Sequence, residues 1–425
     1  MTDAPRFSRL IHAYGFASDT PGHLAALADK DEDARTAALN HLWSAVIHQG
    51  TPWTVTPDAA LVVASLIADP RLAGPENAAL RAGLLNFLAA VAEAGEPGRA
   101  LDDFAPPPGF DVEAALAAVD DVDDIFGDEI LANVVYVRAI EGCREVTPTL
   151  RATATAALAD PDPTVRASAA AAIAACRSRA GEGAEPGDET AAGVEAAPEK
   201  AGAADQAGAA EQAGAAEQAG AAEQAAGAGR EAAAGADGET GSAAELRRLE
   251  ELAATAGVDE RAALVLAMGE LGAAPRAYLD DPHPGVRACA ALAPALATDP
   301  AATDELLAAL GDPSAPETWF AGRLPQFDMH IRFTLIAAAI ERVDEPERLL
   351  PAALAVARIA SQHTVRHDWG PLLMALRDRP AARRRYLAAL VENDALWDQR
   401  NGTVGLVLRD AGLPHDREAC RALIG

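Results

Sequence analysis

Large aromatic side chains are scarce in this sequence of 425 residues, of which only 4% are Phe, Trp or Tyr. A core built mainly from bulky rings is therefore excluded, although half of the residues are hydrophobic and the length allows two or three domains. Uninterrupted apolar runs of 18 residues are also missing, so we expect no membrane-spanning helix. The first residues, MTDAPRFSRLIHAYG, lack the basic start and long apolar run of a signal peptide.

Cysteine is rare as well. Cys143, Cys176, Cys289 and Cys420 are far apart in the chain and form no CxxC pair. This spacing favours neither a disulfide framework nor a zinc site built from cysteines. We therefore predict reduced, mostly buried thiols and a cytoplasmic location.

Motifs of common enzyme classes are missing too, including the G-x-S-x-G, Walker and Rossmann patterns. His363 and His367 are four residues apart, a spacing that can bind zinc on one helix face. Thr364, however, stands where the metalloprotease pattern requires glutamate, and an ordinary polar surface is the favoured interpretation. The acidic cluster Asp120–Glu129 lacks the alternating pattern of a calcium loop. We therefore predict no catalytic residue, no metal and no cofactor, and we favour a protein that is not an enzyme.

The charge is strongly negative, with a formal net charge of −29. A field of this sign repels nucleic acid and anionic membrane surfaces. Residues 180–242 contain thirteen acidic and two basic side chains, and residues 201–224 repeat AGAADQ or AGAAEQ. This composition cannot bury enough apolar surface to offset ordering entropy, so we predict a disordered acidic linker over 179–242. The folded parts are then only moderately acidic, which weakens the argument against nucleic acid.

One short phrase recurs along the chain. Residues 158–169 read LADPDPTVRASA, residues 279–290 read LDDPHPGVRACA, and LADKDEDARTAA from Leu27 is a third copy without prolines. Asp-Pro ends one helix, and the second proline lies close to the first turn of the next. We expect Asp160 to accept hydrogen bonds from turn amides and Arg166 to reach an acidic side chain or carbonyl of a neighbouring unit. The predicted ladder consists of Asp29, Arg35, Asp160, Arg166, Asp281 and Arg287.

The phrase L-x-D-P-x-P-x-V-R-x-x-A resembles the HEAT repeat, including the variant of bacterial HEAT-like proteins related to phycobilin lyases. The resemblance implies an all-α fold, an α-solenoid of stacked helix pairs. We predict two such arrays, 1–178 and 243–425, joined by the linker. Leu80-Arg81 and Ile331-Arg332 stand in the Val-Arg place of weaker copies. A short N-terminal helix is expected around Phe7–Tyr14.

The resemblance also implies a binding scaffold rather than an enzyme. Asn40, Trp43 and Ser44 fall outside the buried stripe of their helix, and exposed tryptophan is enriched in binding hot spots. The alternative is that Trp43 packs against the N-terminal cap through Phe7 or Tyr14. Further candidate binding residues in insertions and loops are Trp53, Trp319 and Phe320.

The favoured function is a non-catalytic scaffold that binds another protein or peptide along the concave surface of the solenoid, with no membrane partner and with nucleic acid disfavoured. One alternative is an accessory enzyme, lyase-like or DNA-glycosylase-like. Another is an immunity-type inhibitor of a basic protein. A basic groove with a central carboxylate would favour the enzyme, whereas a neutral or acidic groove favours the scaffold.

Overall fold

The computed structural model describes residues 4–98, 100–119, 121–177, 238–397 and 402–424, which are predominantly helical. The α-helices are α1 (Ala4–Phe7), α2 (Thr20–Ala26), α3 (Glu32–His41), α4 (Thr56–Ile67), α5 (Ala78–Ala94), α6 (Val112–Ala117), α7 (Val122–Phe126), α8 (Glu129–Ala157), α9 (Pro163–Ala175), α10 (Gly238–Ala253), α11 (Val258–Glu270), α12 (Pro284–Ala291), α13 (Pro300–Ala309), α14 (Ile331–Arg342), α15 (Leu350–Val356), α16 (Trp369–Ala375), α17 (Pro380–Glu392), α18 (Gly402–Asp410) and α19 (Arg417–Ile424). The predicted all-α class is confirmed.

Two short antiparallel hairpins lie near the N-terminus. Strand β1 (Ile11–His12) pairs with β2 (Gly15–Phe16), and β3 (Ile47–His48) pairs with β4 (Thr51–Pro52). The helix predicted around Phe7–Tyr14 is therefore wrong, because α1 ends at Phe7 and a strand begins at Ile11. Gly15 has a φ of 145°, a backbone conformation that reverses the chain and that side chains with a Cβ rarely adopt.

The first full copy of the phrase forms a tight turn between α8 and α9. Asp160 Oδ1 accepts a hydrogen bond from the backbone N–H of Asp162 at 2.9 Å. Arg166 Nη1 donates to the carbonyl oxygen of Asp160 at 2.8 Å, so the arginine also closes the turn from the helix side. Helix α9 begins at Pro163, where a missing backbone N–H costs no helical hydrogen bond.

The second full copy forms the same turn before α12. Asp281 Oδ1 accepts from the backbone N–H of His283 at 2.8 Å, and Arg287 Nη1 donates to the carbonyl of Asp281 at 3.0 Å. Helix α12 begins at Pro284. The same residue types at the same offsets therefore produce the same local geometry.

Arginines at the fourth position of four helices pair with carboxylates that come later in the chain. The pairs are Arg81–Asp160 at 2.9 Å, Arg166–Glu260 at 2.6 Å, Arg261–Asp281 at 2.9 Å and Arg287–Glu305 at 3.0 Å. The side chains of Arg81, Glu260 and Asp281 are less than a tenth exposed. A charge withdrawn from water in this way requires its partner, so the pairs fix which segments lie side by side.

The third copy keeps only part of this arrangement. Asp29 Oδ1 accepts from the backbone N–H of Asp31 at 3.0 Å, as in the full copies. Arg35, the fourth residue of α3, donates to the amide oxygen of Asn77 at 3.1 Å. A neutral amide thus stands where the full copies use a carboxylate.

The described residues fall into two compact units. The N-unit comprises the described residues up to 77 together with 87–153 and 175–177, and the C-unit comprises 78–86, 154–174 and the described residues from 238 onward. The proposed boundaries at 178 and 243 stay predictions. The predicted linker lies outside the described residues, apart from its last part, where α10 begins at Gly238.

Each unit has its own apolar packing. In the N-unit, Ile11, Ile125, Leu131 and Val135 form a small buried cluster. In the C-unit, α10 packs on α11, α11 on α12, α12 on α13, and α13 on α14. Helices that are adjacent in sequence are therefore neighbours in space, and much of their contact surface is alanine.

The four cysteines all lie in the described residues and are buried thiols rather than disulfides. Burial raises the pKa of the Cys143 thiol to about 12. Among the described residues, no helix combines the length and the apolar character needed to cross a membrane.

Candidate functional site

The predicted binding residues Asn40, Trp43 and Ser44 form an exposed surface at the end of α3 in the N-unit. The side chain of Trp43 is 44% exposed, and its ring stands edge-on to Phe87 at a centroid distance of 5.9 Å. Phe87, rather than Phe7 or Tyr14, is therefore the aromatic neighbour of Trp43 among the described residues. The Trp43 side chain is therefore packed on one side and exposed to solvent on the other.

This surface stands on an unusual stretch of backbone. Helix α3 continues as one π-helical turn, Leu42–Val46, a form that occurs frequently at functional sites. The hairpin that follows turns at Gln49 and Gly50, with φ angles of 51° and 81°. His48 Nδ1 hydrogen-bonds the carbonyl of Ser44 at 2.9 Å and ties the hairpin to the π-turn.

Trp53 lies in a different environment from Trp43. It is half-buried against the small core of the N-unit, and its ring is edge-on to Phe126 at 5.6 Å. The indole Nε1 is buried and has no hydrogen-bond partner among the described residues. The structure thus makes Trp53 a packing residue whose polar atom is unsatisfied.

Trp319 and Phe320, in the C-unit, are half-buried and pack on other parts of that unit. Trp319 lies against its main core, and the Phe320 ring is 5.9 Å from the His283 ring. The segment is anchored because Asp259 Oδ2 accepts from the backbone N–H of Ala321 at 2.9 Å. Intramolecular contacts therefore occupy much of the surface of both rings.

A cluster of histidines surrounds Asp19 in the N-unit. One donor atom each from His12, Asp19 and His41 lies within 4.8 Å of the other two. His12 Nε2 is 3.0 Å from Asp19 Oδ1, and His41 Nε2 is 2.9 Å from the hydroxyl of Thr20. The His23 ring stacks on His41 at 4.1 Å. We call His12, Asp19, His23 and His41 the histidine cluster.

The electrostatics of the cluster favour a neutral His41 and an ionised Asp19. Burial, and then the proximity of His23, lower the pKa of His41 to about 4. Partial burial acts to raise the pKa of Asp19, but the hydrogen bond with His12 and the charges of His41 and His12 together outweigh burial, and the net pKa is lowered. At neutral pH the cluster therefore presents unprotonated ring nitrogen beside a carboxylate.

This cluster was not predicted from the sequence. Positions 12, 19 and 41 match no ligand spacing, because the residues come from a strand, a helix cap and a helix end. One signal was present: four of the nine histidines lie in the first 48 residues. The pair that was considered, His363 and His367, lies in turns before α16 rather than on one helix face, and His367 stacks on Phe333 at 5.2 Å.

A groove of about 830 Å³ lies in the C-unit, lined by residues of α11, α12, α13, α14 and the segments after them. Its walls include Leu266, Leu292 and Phe327, and its polar side chains include Glu270, Glu341, Arg342, Asp344 and Arg348. Neither Trp43 nor Trp319 lines it. We call this feature the C-unit groove.

The two arginines of the C-unit groove already have partners within the unit. Arg342 Nη2 donates to the carbonyl of Leu292 at 2.9 Å, and Nη1 donates to the carbonyl of Ala291. Arg348 pairs with Asp304 at 2.6 Å. Cys289 also lines the groove, but burial, and then the proximity of Glu270, raise the pKa of its thiol. The groove is therefore acidic to neutral in character, and its cysteine is not a thiolate nucleophile.

In comparisons with known proteins, no family model matches the chain, and no curated protein or solved structure matches it significantly. The class that fold and site define is thus an all-α protein in which consecutive helices pack on one another, with a groove lined by three carboxylates and two arginines and a histidine cluster around an exposed aspartate.

Proposed function

We propose that this protein is a non-catalytic scaffold of the HEAT-like solenoid type that binds a segment of another protein in the C-unit groove. Support for the solenoid comes from the pairwise packing of consecutive helices α10 to α14. Further support comes from the recurrent arginine–carboxylate pairs, since repeat arrays are stabilised mainly by contacts between neighbouring units. A cytoplasmic location is part of the proposal and rests on the buried, reduced thiols.

The charge balance of the groove is the observation that carries the proposal. Three carboxylates line it, those of Glu270, Glu341 and Asp344, against two arginines, and one of these, Arg348, is already paired with Asp304. Apolar walls beside surplus carboxylates complement a segment that carries Lys or Arg together with a large apolar side chain. The partner we propose is such a basic, apolar segment.

The same balance argues against the enzymatic alternative. A lyase-like or DNA-glycosylase-like protein requires a basic groove that attracts an anionic substrate, with a carboxylate at its centre. A groove lined by more carboxylates than arginines lacks that attraction. An inhibitor that masks a basic protein fits the groove charge and the net charge of −29, and it is the second candidate function.

Peptide display against the full chain tests the proposal. We expect selected peptides to share basic residues and one large apolar side chain. The double variant Glu341→Lys with Asp344→Lys should weaken their binding at least about tenfold, because both substitutions place like charges against the peptide. The matched control reverses two exposed carboxylates that do not line the groove, Asp378→Lys with Glu418→Lys, and should bind as the wild type does.

Two results would count against this function. Selected peptides that are acidic, or binding that the groove variant leaves unchanged, would remove the groove as the binding surface. Trp43→Ala is the second arm of the same experiment. A loss of binding in Trp43→Ala alone would move the site to the exposed surface of the N-unit.

A further inference from the structure

We propose that the histidine cluster is a binding site for a divalent transition-metal ion of the zinc class. Its donors would be His12, Asp19 and His41, of which Asp19 is exposed to solvent. Two imidazoles and one carboxylate are a common ligand set for zinc, and three protein ligands leave one position open. The inference is independent of the peptide-binding function and concerns the other unit of the chain.

The donors are held in place before any metal arrives. His12 and His41 are 5% and 8% exposed, so packing restricts the rotation of both rings. The Asp19 side chain is 53% exposed and leaves an entry path from solvent. Tetrahedral zinc with bonds of about 2.0–2.1 Å places its donors about 3.4 Å apart. The observed spacing of up to 4.8 Å therefore requires a closure of no more than about 1.4 Å.

The position of the proton on the His12 ring determines which hydrogen bond must break when the ion binds. Nδ1 of His12 accepts from the backbone N–H of Tyr14 at 3.1 Å, which assigns the ring proton to Nε2, beside Asp19. A metal ion at Nε2 replaces that proton, and the neutral ring then carries its proton on Nδ1. The Tyr14 N–H must consequently release His12. Tyr14 lies at the tip of the β1–β2 hairpin and is 66% exposed, so water can replace the lost acceptor.

The loss of one such neutral hydrogen bond lowers the affinity by about five- to tenfold. This penalty is small beside the affinity that imidazole and carboxylate ligands provide for zinc. Ligation of His41 through Nδ1 would carry no comparable penalty, because the hydrogen bond between Nε2 and Thr20 would stay in place. A hydrogen-bonded second ring nitrogen is the usual arrangement for a metal-bound histidine.

The test uses the full chain after treatment with a chelator. Titration with Co²⁺ should give the visible absorbance of a tetrahedral complex, and calorimetry with Zn²⁺ should show one bound equivalent. His41→Gln and Asp19→Asn should each weaken zinc binding more than about 100-fold, because they remove a direct ligand. Thr20→Val should weaken it about tenfold, because it removes only the support of His41. Amide exchange at Tyr14 should accelerate when zinc binds.

His363→Gln is the matched control, because His363 is exposed, belongs to the C-unit and is not part of the cluster. It should bind zinc as the wild type does. Circular dichroism and unfolding curves establish that each variant folds. If His41→Gln does not fold, the test rests on Asp19→Asn, which should fold because the side chain of Asp19 is exposed. Failure to bind one equivalent, or binding that Asp19→Asn leaves unchanged, overturns the proposal and identifies any bound zinc as adventitious.

Discussion

The two full copies of the repeated phrase agree in their turns and differ in their partners. Asp160 and Asp281 make the same bond to a backbone N–H, at 2.9 and 2.8 Å. Arg166 reaches a carboxylate 94 residues further on, whereas Arg287 reaches one only 18 residues further on. The phrase therefore determines the turn, and the surrounding chain determines what the arginine holds.

A second difference lies at one position inside the phrase. Thr164 of the first copy corresponds to Gly285 of the second. A Cβ built on Gly285 would lie 2.5 Å from Cζ of Phe320 and 3.1 Å from Cβ of Trp319. Glycine thus lets the segment before α14 pack onto the turn, and the repeat has adapted to an insertion specific to the C-unit.

The third copy departs from the two full copies in its sequence and in its contacts. It has no prolines, its arginine bonds to Asn77, and its helix ends at His41 within the histidine cluster. Three copies of one phrase are thus stabilised in two ways: by charged pairs in the C-unit and by imidazole contacts in the N-unit.

Removal of Arg166 should have the largest effect on stability. Arg166→Ala leaves Glu260, whose side chain is 5% exposed, buried and without its cation. The expected loss is about 3–5 kcal/mol in the free energy of unfolding, measured with a chemical denaturant. Arg248→Ala is the control. It breaks an exposed pair with Glu251 and should cost less than about 0.5 kcal/mol. Equal losses in the two variants would show that the ladder does not stabilise the array.

A decrease in pH should destabilise the region of the third copy before it destabilises the two full copies. The pKa of His41 is about 4 in the folded protein, against an ordinary value of 6.5 for histidine, so the unfolded chain binds the extra proton first. Stability should therefore fall as the pH decreases from about 6.5 to 4, by about 3 kcal/mol in total. Most carboxylates titrate at the lower end of this window.

His41→Gln should remove most of this pH dependence, because glutamine can still hydrogen-bond Thr20 but does not titrate. His363→Gln, at an exposed histidine, should leave the pH dependence intact. Both are measured as denaturant unfolding curves at several pH values. A His41→Gln profile as steep as that of the wild type would assign the acid sensitivity to another group.

Thr164 and Gly285 occupy a position at which the two full copies differ. Exchanging these residue types should have an effect of intermediate size on stability. Gly285→Thr forces the side chain into Phe320 and should cost about 1–3 kcal/mol in the free energy of unfolding. The reverse exchange, Thr164→Gly, should cost about 0.3–0.5 kcal/mol through helix propensity alone. Adding Phe320→Ala to Gly285→Thr should restore part of the loss. An additive double mutant would mean that the two residues do not compete for space.

Much of the local structure follows from residue types at short spacing. The starts of α9 and α12 and the aspartate turns before them need only Asp-Pro, a second proline and an arginine on the first turn. Arg261 has the same helix position as Arg166 and likewise pairs with a carboxylate, but DERAAL lacks the prolines, so the phrase does not identify it as a copy. The type of a structural element could thus be predicted where it depends on interactions between residues only a few positions apart.

Partners and sites were less predictable, because they depend on distances that the sequence does not encode. Nothing in the spacing connects Arg166 with Glu260 across the acidic segment. Trp53 and Phe320 were considered as binding residues from their type alone, whereas the structure places both rings in half-buried packing contacts. The histidine cluster needed a strand at Ile11–His12, where the sequence pattern predicted a helix.

The smallest expected effect tests whether the third copy shares the aspartate turn of the others. Asp29→Ala removes one hydrogen bond, to the N–H of Asp31, at a site that solvent can reach. The expected loss in the free energy of unfolding is about 0.5–1.5 kcal/mol. Asp160→Ala removes the same turn bond and also removes the ion pair with Arg81, whose side chain is 3% exposed, so its loss should exceed that of Asp29→Ala. Similar losses in the two variants would mean that the phrase stabilises the protein through the turn hydrogen bond and not through the charged pair.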